Sequence, residues 1–273
     1  MKNILKTLIL LSIITFIAAC GNSEERDESE IVIGAQSVPH AEILEEAQPI
    51  LEEKGITLEI EPYEDYVLPN DDLADGTLDA NFFQHIPYLE QTIDDTGYDL
   101  DYIDGIHIEP MGVYSKTMNS IDNIEKGTEV LLSNSVPDHG RILALFEKEG
   151  LITLDENVDE EEATIDDITE NPKELDFIPD YDPAFLPELY ESEEDTLVVI
   201  NTNYAINAGL NPLDDALFIE GDDSPYVNVI AVKAEDKDNE ALNTLVDVLQ
   251  SKEIQDFMIE KYEGAVVPVG DGN

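Results

Sequence analysis

The stretch Asp79-Ala-Asn-Phe-Phe-Gln-His-Ile-Pro-Tyr88 decides the fold of this chain. It places Phe82, Phe83, His85 and Tyr88 within seven residues of a chain that has no tryptophan. The run up to His85 predicts a short strand, and the proline after it predicts the first turn of a helix. In α/β proteins such a junction commonly carries ligand groups. The alternative is a core strand that runs into a core helix, because aromatic side chains are mostly buried. Strand alternation predicts that Phe82 faces the core, while Phe83 and His85 face a cleft.

The N-terminal residues have the pattern of a secretory signal peptide. Two lysines precede an apolar run from Leu8 to Ala19, and there is no acidic residue before Cys20. Cys20 is the single cysteine, and it follows two alanines and precedes a polar segment, as in a bacterial lipobox. We predict a signal peptide at 1–19, a lipid on Cys20 and a polar linker through residue 28. An ordinary secreted protein with a stray cysteine is the alternative, and a single cysteine forms no disulfide within the chain.

The chain is strongly acidic, with a formal net charge of -51. This charge argues against nucleic acid or anionic lipid as a partner of the protein body. The acidic residues alternate with apolar positions that keep helix and strand periods, which is typical of a folded protein with an acidic, solvated surface. We hypothesise that this surface is an adaptation to high salt.

We therefore expect the melting temperature to rise as salt is added. At about 1 M salt the screening length falls to about 3 Å, so that repulsion between surface carboxylates is largely removed. Thermal melts across a salt series would measure this effect. Equal melting temperatures at low and at molar salt would contradict the hypothesis.

Predicted strands and helices alternate along the chain. Apolar strands near 31–34, 58–60 and 103–108 are separated by helical patterns, and this order predicts a mainly parallel sheet with ligands at the carboxyl ends of its strands. The alternation restarts near Val130. Two extended runs, 111–115 and 226–232, are placed to cross between the two α/β units. We predict lobe 1 at 29–110 plus 229–273 and lobe 2 at 111–228, with a ligand cleft between them.

Recognisable catalytic motifs are missing from the sequence. It contains no Gly-x-Ser-x-Gly elbow, phosphate loop or dinucleotide fingerprint, and its lone cysteine is assigned to the lipid. The four histidines, at 40, 85, 107 and 139, have no ligand-like local spacing. We expect no enzyme activity, no cofactor and no metal.

Polar candidates are concentrated in the predicted second lobe. Arg141 is the one arginine outside the linker, and it falls in the first turn of a predicted helix. A guanidinium at that position suits a bound carboxylate, and a surface ion pair is the alternative. Asn201 and Asn203 follow a buried strand, and Asn228 lies in the second crossing run. Amides can satisfy both ends of a zwitterion, although asparagine is also common in turns.

Seven stretches, in the same order along the chain, resemble the methionine-binding lipoprotein family of ABC importers, known as the NlpA or MetQ family. They are Ser37-Val-Pro-His-Ala-Glu-Ile-Leu44, Asp65-Tyr-Val-Leu-Pro-Asn70, Asp79–Tyr88, Gly140-Arg141, Glu170-Asn-Pro-Lys173, Asn201-Thr-Asn-Tyr-Ala205 and Ser224-Pro-Tyr-Val-Asn228. The resemblance implies a two-lobed periplasmic-binding-protein fold with the ligand site between the lobes.

The resemblance also implies the roles of the site residues. Tyr66, Phe83, His85 and Tyr88 would wrap the methionine side chain. Its zwitterionic end would be held by Arg141, Asn203 and Asn228, with Asn201 as a second choice in its motif. The chain departs from the family at Ser135-Val-Pro-Asp138, where many members have Asp-Pro-Thr-Asn. Asp138 is expected to pair with the ligand ammonium or with Arg141.

The implied function is that of a lipid-anchored solute-binding protein on the extracellular face of the cell membrane. It would capture L-methionine and deliver it to an ABC permease and its ATPase. One alternative is the same receptor tuned to D-methionine, another small amino acid or a methionine dipeptide. A zinc-binding receptor and a structural envelope lipoprotein are the others.

Overall fold

The computed structural model describes residues 29–221 and 224–270. The predicted signal peptide, Cys20 and the linker through residue 28 lie outside the described residues. Among the helices of the described ranges, none has both the length and the apolar character needed to cross a bilayer.

The described residues form an α/β protein, as predicted. Its strands are β1 (Glu30–Gln36), β2 (Thr57–Tyr63), β3 (Ala80–His85), β4 (Leu100–Ile108), β5 (Gly112–Tyr114), β6 (Glu129–Ser133), β7 (Thr153–Leu154), β8 (Ile168–Glu170), β9 (Asp176–Tyr181), β10 (Leu197–Ile200), β11 (Phe218–Ile219), β12 (Val227–Lys233) and β13 (Val267–Pro268). Its α-helices are α1 (Glu42–Glu53), α2 (Leu68–Asp75), α3 (Ile86–Thr96), α4 (His139–Lys148), α5 (Leu186–Ser192), α6 (Thr202–Asn207), α7 (Pro212–Asp215), α8 (Glu240–Leu249) and α9 (Lys252–Tyr262). Short helical turns complete the list, at Ser37–Ala41, Ile121–Asn123, Val136–Asp138, Glu160–Glu162, Ile165–Asp167, Pro183–Phe185 and Ala234–Asp236.

The first sheet has six strands in the order β13-β4-β12-β3-β1-β2. Strand β1 is parallel to β2 and β3, whereas β12 is antiparallel to both of its neighbours, β3 and β4. One face packs on α1, α8 and α9, and the other packs on residues of α2 and α3. Strand β12 alternates between the two cores, with Ile230 in one and Val229 in the other, because successive side chains of a strand point to opposite faces.

The second sheet has five strands in the order β11-β5-β10-β6-β9. Strand β10 is its apolar centre: Leu197 and Val199 pack with α4, while Val198 and Ile200 pack with residues of α5 and α6. A strand covered on both faces reads as a continuous apolar run, which is why it was predictable.

Several elements of the described residues were not predicted. Strand β9 and helix α5 lie in or next to the acidic, proline-bearing segment 155–187, for which the sequence analysis assigned neither element. Strand β9 contains Pro179 and is at the edge of its sheet, where proline is tolerated. Helix α2, Leu68–Asp75, was not assigned either, and it has a proline in its first turn.

Two short connections join the sheets. The chain passes from β4 to β5 through 109–111 and returns from β11 to β12 through 220–226. The backbone N–H of Met111 donates to a Glu220 carboxylate oxygen at 3.1 Å, and the N–H of Glu220 donates to the Met111 carbonyl at 2.9 Å. The two connections are therefore hydrogen-bonded to each other. The predicted two-lobed α/β fold is confirmed, and the boundaries assigned to each lobe stay a prediction.

Candidate functional site

A cavity lies where the carboxyl ends of β3, β6 and β10 meet the first connection. All eight ligand-binding residues predicted from the sequence line it: Tyr66, Phe83, His85, Tyr88, Arg141, Asn201, Asn203 and Asn228. The remaining lining residues are Gln84, Glu109, Met111, Asp138 and Thr202. Of these, only Asp138 was considered at the level of sequence.

One wall of the cavity is aromatic. The ring centroids of Tyr66, Phe83 and Tyr88 lie 5.8 to 6.0 Å from one another. The Tyr66 hydroxyl donates to Asn203 Oδ1 at 2.7 Å, and the Tyr88 hydroxyl donates to the Tyr66 carbonyl at 3.0 Å. Because both hydroxyls are engaged, the rings present mainly apolar surface to the cavity. Phe82 points the other way into the first core, as the alternation predicted.

The loop that carries Tyr66 is supported by a buried amide network. Asn81 and Gln84 of β3 both donate to Asn70 Oδ1, at 2.8 and 2.7 Å, and Asn70 donates to Gln84 Oε1 at 2.9 Å. Satisfied networks of this kind make a local structure rigid. This one fixes the start of α2, and with it the adjacent loop, against the strand that carries Phe83.

His85 caps helix α3 and links the two sides of the cavity. Its Nδ1 accepts from the backbone N–H of Tyr88 at 3.2 Å, which assigns the ring proton to Nε2. That Nε2 donates to Asp138 Oδ1 at 3.0 Å. The His85 ring therefore caps the first turn of α3, next to the first sheet. The same ring also binds the carboxylate of Asp138, which lies after strand β6 of the second sheet.

Asp138 is fully engaged by protein groups. Its Oδ2 accepts from the Asn201 amide at 3.2 Å, and its Oδ1 lies 3.6 Å from Arg141 Nη1. Burial alone would raise the pKa of Asp138, but the hydrogen bonds from His85 and Asn201 and the nearby charge of Arg141 hold it at about 2. Of the two partners expected for this residue, the structure contains Arg141.

Arg141 is buried and already paired. Its Nη2 donates to the Glu109 carbonyl at 3.0 Å and to the Glu220 carboxylate, and the guanidinium carbon lies 4.4 Å from the Tyr226 ring centroid. The sequence left open a carboxylate ligand or a surface ion pair, and the ion pair that is observed is a buried one. Within the described residues, the Arg141 Nε–H has no hydrogen-bond acceptor.

Of the three asparagines that line the cavity, two offer amide N–H groups and the third offers a carbonyl oxygen. Asn203 Oδ1 is engaged by Tyr66, and Asn228 Oδ1 lies 3.2 Å from His40 Nε2, so these two residues offer amide N–H groups. Asn201 donates to Asp138, and its Oδ1 is buried without a partner among the described residues. A buried polar atom without a partner costs about 1–3 kcal/mol, which a complementary ligand group would recover.

His40, His107 and Glu109 form a cluster with the geometry of a possible metal site. Their ligand-type atoms lie within 4.8 Å of one another, although the residues are far apart in the sequence. A metal on Nε2 would leave the proton on Nδ1, and metal-bound histidines normally donate that proton to an acceptor. Here both Nδ1 atoms are buried, without a partner in the described part of the chain. The donor set therefore favours hydrogen bonds to Glu109 over a bound metal.

Comparison with known proteins places these features in a family. The family model described as NlpA lipoprotein matches residues 31–270. A methionine-binding lipoprotein MetQ of Bacillus subtilis (strain 168) is 45% identical over 275 residues, covering 99% of this chain and 100% of that protein. A D-methionine-binding lipoprotein MetQ of Salmonella typhi is 37% identical over 252 residues, covering 92% of each. The structure of a nutrient binding protein from Burkholderia cenocepacia bound to methionine has a TM-score of 0.82 and 36% identity, and the match covers 88% of this chain and 100% of that one.

Proposed function

The chain belongs to the NlpA lipoprotein family, and on that premise we propose that it is a solute-binding receptor that captures L-methionine in the cavity described above. The observation that carries the proposal is a pair of buried atoms, on two side chains that line the cavity, that have no hydrogen-bond partner among the described residues. The Arg141 Nε–H requires an acceptor and Asn201 Oδ1 requires a donor. An α-amino acid supplies both, through its carboxylate and its ammonium.

The aromatic wall supports a ligand with an apolar, polarizable side chain. Tyr66, Phe83 and Tyr88 form it, and Met111 lines the same cavity. Thioether sulfur gains about 0.3–1.5 kcal/mol from contact with an aromatic ring, which favours methionine over an aliphatic side chain of similar length. Asn203 and Asn228 would then donate to the carboxylate beside Arg141.

Delivery to a transporter completes the proposal. The receptor would be anchored through a lipid on Cys20 at the extracellular face of the membrane, and it would pass its ligand to an ABC permease and ATPase. It would not act as an enzyme, because holding a zwitterion requires only complementary donors, acceptors and apolar surface. The relatives' lipoprotein names support the anchor, and the family resemblance supports the transporter partners.

D-Methionine is the first alternative ligand, because one relative is named for it. Another small amino acid or a methionine dipeptide would use the same polar groups. A zinc-binding receptor has less support, since the histidine cluster favours hydrogen bonding. Isothermal titration of the purified protein with L-methionine, D-methionine, a methionine dipeptide and zinc would separate these cases. We expect the tightest binding with L-methionine, and no heat of binding with any of the amino acids would refute the proposal.

Replacing Phe83 by leucine is expected to weaken L-methionine binding by about 10-fold, because a ring contact worth about 1 kcal/mol and some apolar contact area are lost. Phe185→Leu is the matched control, since that ring is 59% exposed and does not line the cavity. Calorimetric affinities of both variants would be compared with the wild type. Equal affinities in all three proteins would show that the aromatic wall does not contact the ligand.

A further inference from the structure

Glu109 lies on the first connection between the sheets and is held in place by two histidines. Its Oε1 is 2.8 Å from His107 Nε2 and 3.1 Å from His40 Nε2. The two rings are wedged against Phe82, with centroids 4.7 and 5.2 Å from that ring. His107 is fully buried and His40 nearly so, whereas the Glu109 side chain keeps 10% exposure and lines the cavity.

Both histidines act as neutral donors. The Nε2–H of His107 donates to Glu109 Oε1 at 2.8 Å, whereas that of His40 donates to Asn228 Oδ1 at 3.2 Å and lies 3.1 Å from the same Glu109 oxygen. Both oxygens accept, so each Nε2 carries the proton, and neither Nδ1 has a partner among the described residues. Burial lowers the pKa of His40 to about 4 and that of His107 to about 3. The pair therefore orients the carboxylate without neutralising its charge.

Glu109 differs in this respect from the other two carboxylates near the polar end. Asp138 and Glu220 both pair with Arg141, and the two oxygens of Asp138 already accept from His85 and Asn201. Among the described residues, no lysine or arginine nitrogen lies within 4.0 Å of a Glu109 carboxylate oxygen, and the side-chain nitrogens next to it are those of the two neutral histidines. A buried carboxylate without a cationic partner is costly unless a ligand supplies one.

We propose that Glu109 is the ammonium-binding residue of the cavity, and that His40 and His107 are positioning residues that aim its carboxylate at the ligand. This inference rests on the proposed amino-acid receptor function and deepens it. It makes the charged α-amino group a specificity determinant, so that the protein selects free amino acids over analogues in which that group is a hydroxyl or is acylated.

The test compares two ligands that differ at one group: L-methionine and its 2-hydroxy analogue, which keeps the carboxylate and the thioether. We expect the wild type to prefer L-methionine by about 100-fold, the usual scale for a desolvated charge pair. Glu109→Gln should remove most of that preference by weakening L-methionine binding about 100-fold while leaving the hydroxy analogue within about threefold. His107→Phe should reduce the preference about 10-fold, whereas His107→Gln, which keeps a donor, should largely restore it.

Three further variants keep the test decisive. Glu109→Asp retains the charge one methylene further back, and it should lower the preference about 10-fold; it serves if Glu109→Gln does not fold. Asp138→Asn should weaken both ligands alike and keep the preference, while Glu90→Gln, on the exposed side of α3, should change neither affinity. If the wild type binds both ligands with similar affinity, if Glu109→Gln keeps the wild-type preference, or if only Asp138→Asn removes the preference, the ammonium assignment is wrong and the receptor function stands. If the wild type binds neither ligand, both proposals fail.

Discussion

Replacing Arg141 by alanine is expected to abolish ligand binding at ordinary concentrations and to destabilise the fold. Removing one partner of a buried charge pair costs about 3–5 kcal/mol, because the remaining charge is left uncompensated. Here two carboxylates, Asp138 and Glu220, would be left, with side-chain exposures of 2% and 15%. The ligand carboxylate would lose its guanidinium at the same time, so we expect affinity for L-methionine to fall by about 1000-fold or more. Calorimetry and urea denaturation measure the two effects separately.

Two controls define this prediction. Arg141→Lys keeps the charge but not the planar fork, and it should recover part of the stability and less of the affinity. Lys126→Ala removes an exposed pair, with Glu174 at 2.7 Å and both side chains more than 60% exposed, so it should change stability little. Wild-type affinity in Arg141→Ala would show that the guanidinium serves the fold alone.

Acid is expected to destabilise the protein well above the pH at which most carboxylates titrate. Both His40 and His107 have folded-state pKa values far below the ordinary 6.5, at about 4 and about 3, because burial disfavours their charged forms. As the pH falls below 6.5, both histidine rings become protonated in the unfolded chain but stay neutral in the folded chain. The free energy of unfolding therefore decreases. Between pH 7 and pH 5 each histidine would account for about 2 kcal/mol.

The raised pKa of Glu109, caused first by its burial, acts in the opposite direction. The folded chain binds that proton more readily than the unfolded one, so the net loss is below the sum for the two histidines. Urea denaturation at pH 7, 6 and 5 would measure how steeply the free energy of unfolding changes with pH. The double variant His40→Gln/His107→Gln keeps amide donors and has no titrating ring at these two positions. Its free energy of unfolding should therefore change much less with pH than that of the wild type. An identical slope in the variant and the wild type would rule out this origin.

The opening stretch shows how much of the site was predictable. Phe83 and His85 line the cavity and Phe82 enters the core, as the strand period predicted, because alternation depends only on backbone geometry. Tyr88 lines the cavity from the first turn of α3. Arg141 and the three asparagines also line the cavity, and their role in ligand binding stays a prediction. Asn201 and Asn203 follow the end of β10, where strand ends of α/β folds converge, whereas Asn228 lies at the start of β12. Their contacts were not predictable: Glu220, which pairs with Arg141, is 79 residues away.

Glu109 was missed for a related reason. In a chain with 64 acidic residues, one more glutamate carries no local signal. It differs from the others only through His40 and His107, which reach it from a helical turn and from β4. The histidines were judged by their sequence spacing, and spacing contains no information about side chains that meet across a sheet.

The full set of predicted cavity residues came from the family resemblance. The sequence by itself determined the order of strands and helices and the two-unit α/β organisation. These follow from periods of two and 3.6 residues and from strand ends, which are local properties. Only the tertiary structure decided that β12 lies between β3 and β4, that β9 completes the second sheet, and which carboxylates pair with Arg141. Those outcomes depend on long-range packing and on charges buried together. For the stretch 79–88 itself, the strand period put Phe82 and Phe83 on opposite faces. The tertiary structure placed the cavity-facing rings with an arginine that pairs with two carboxylates and a glutamate that contacts two histidines.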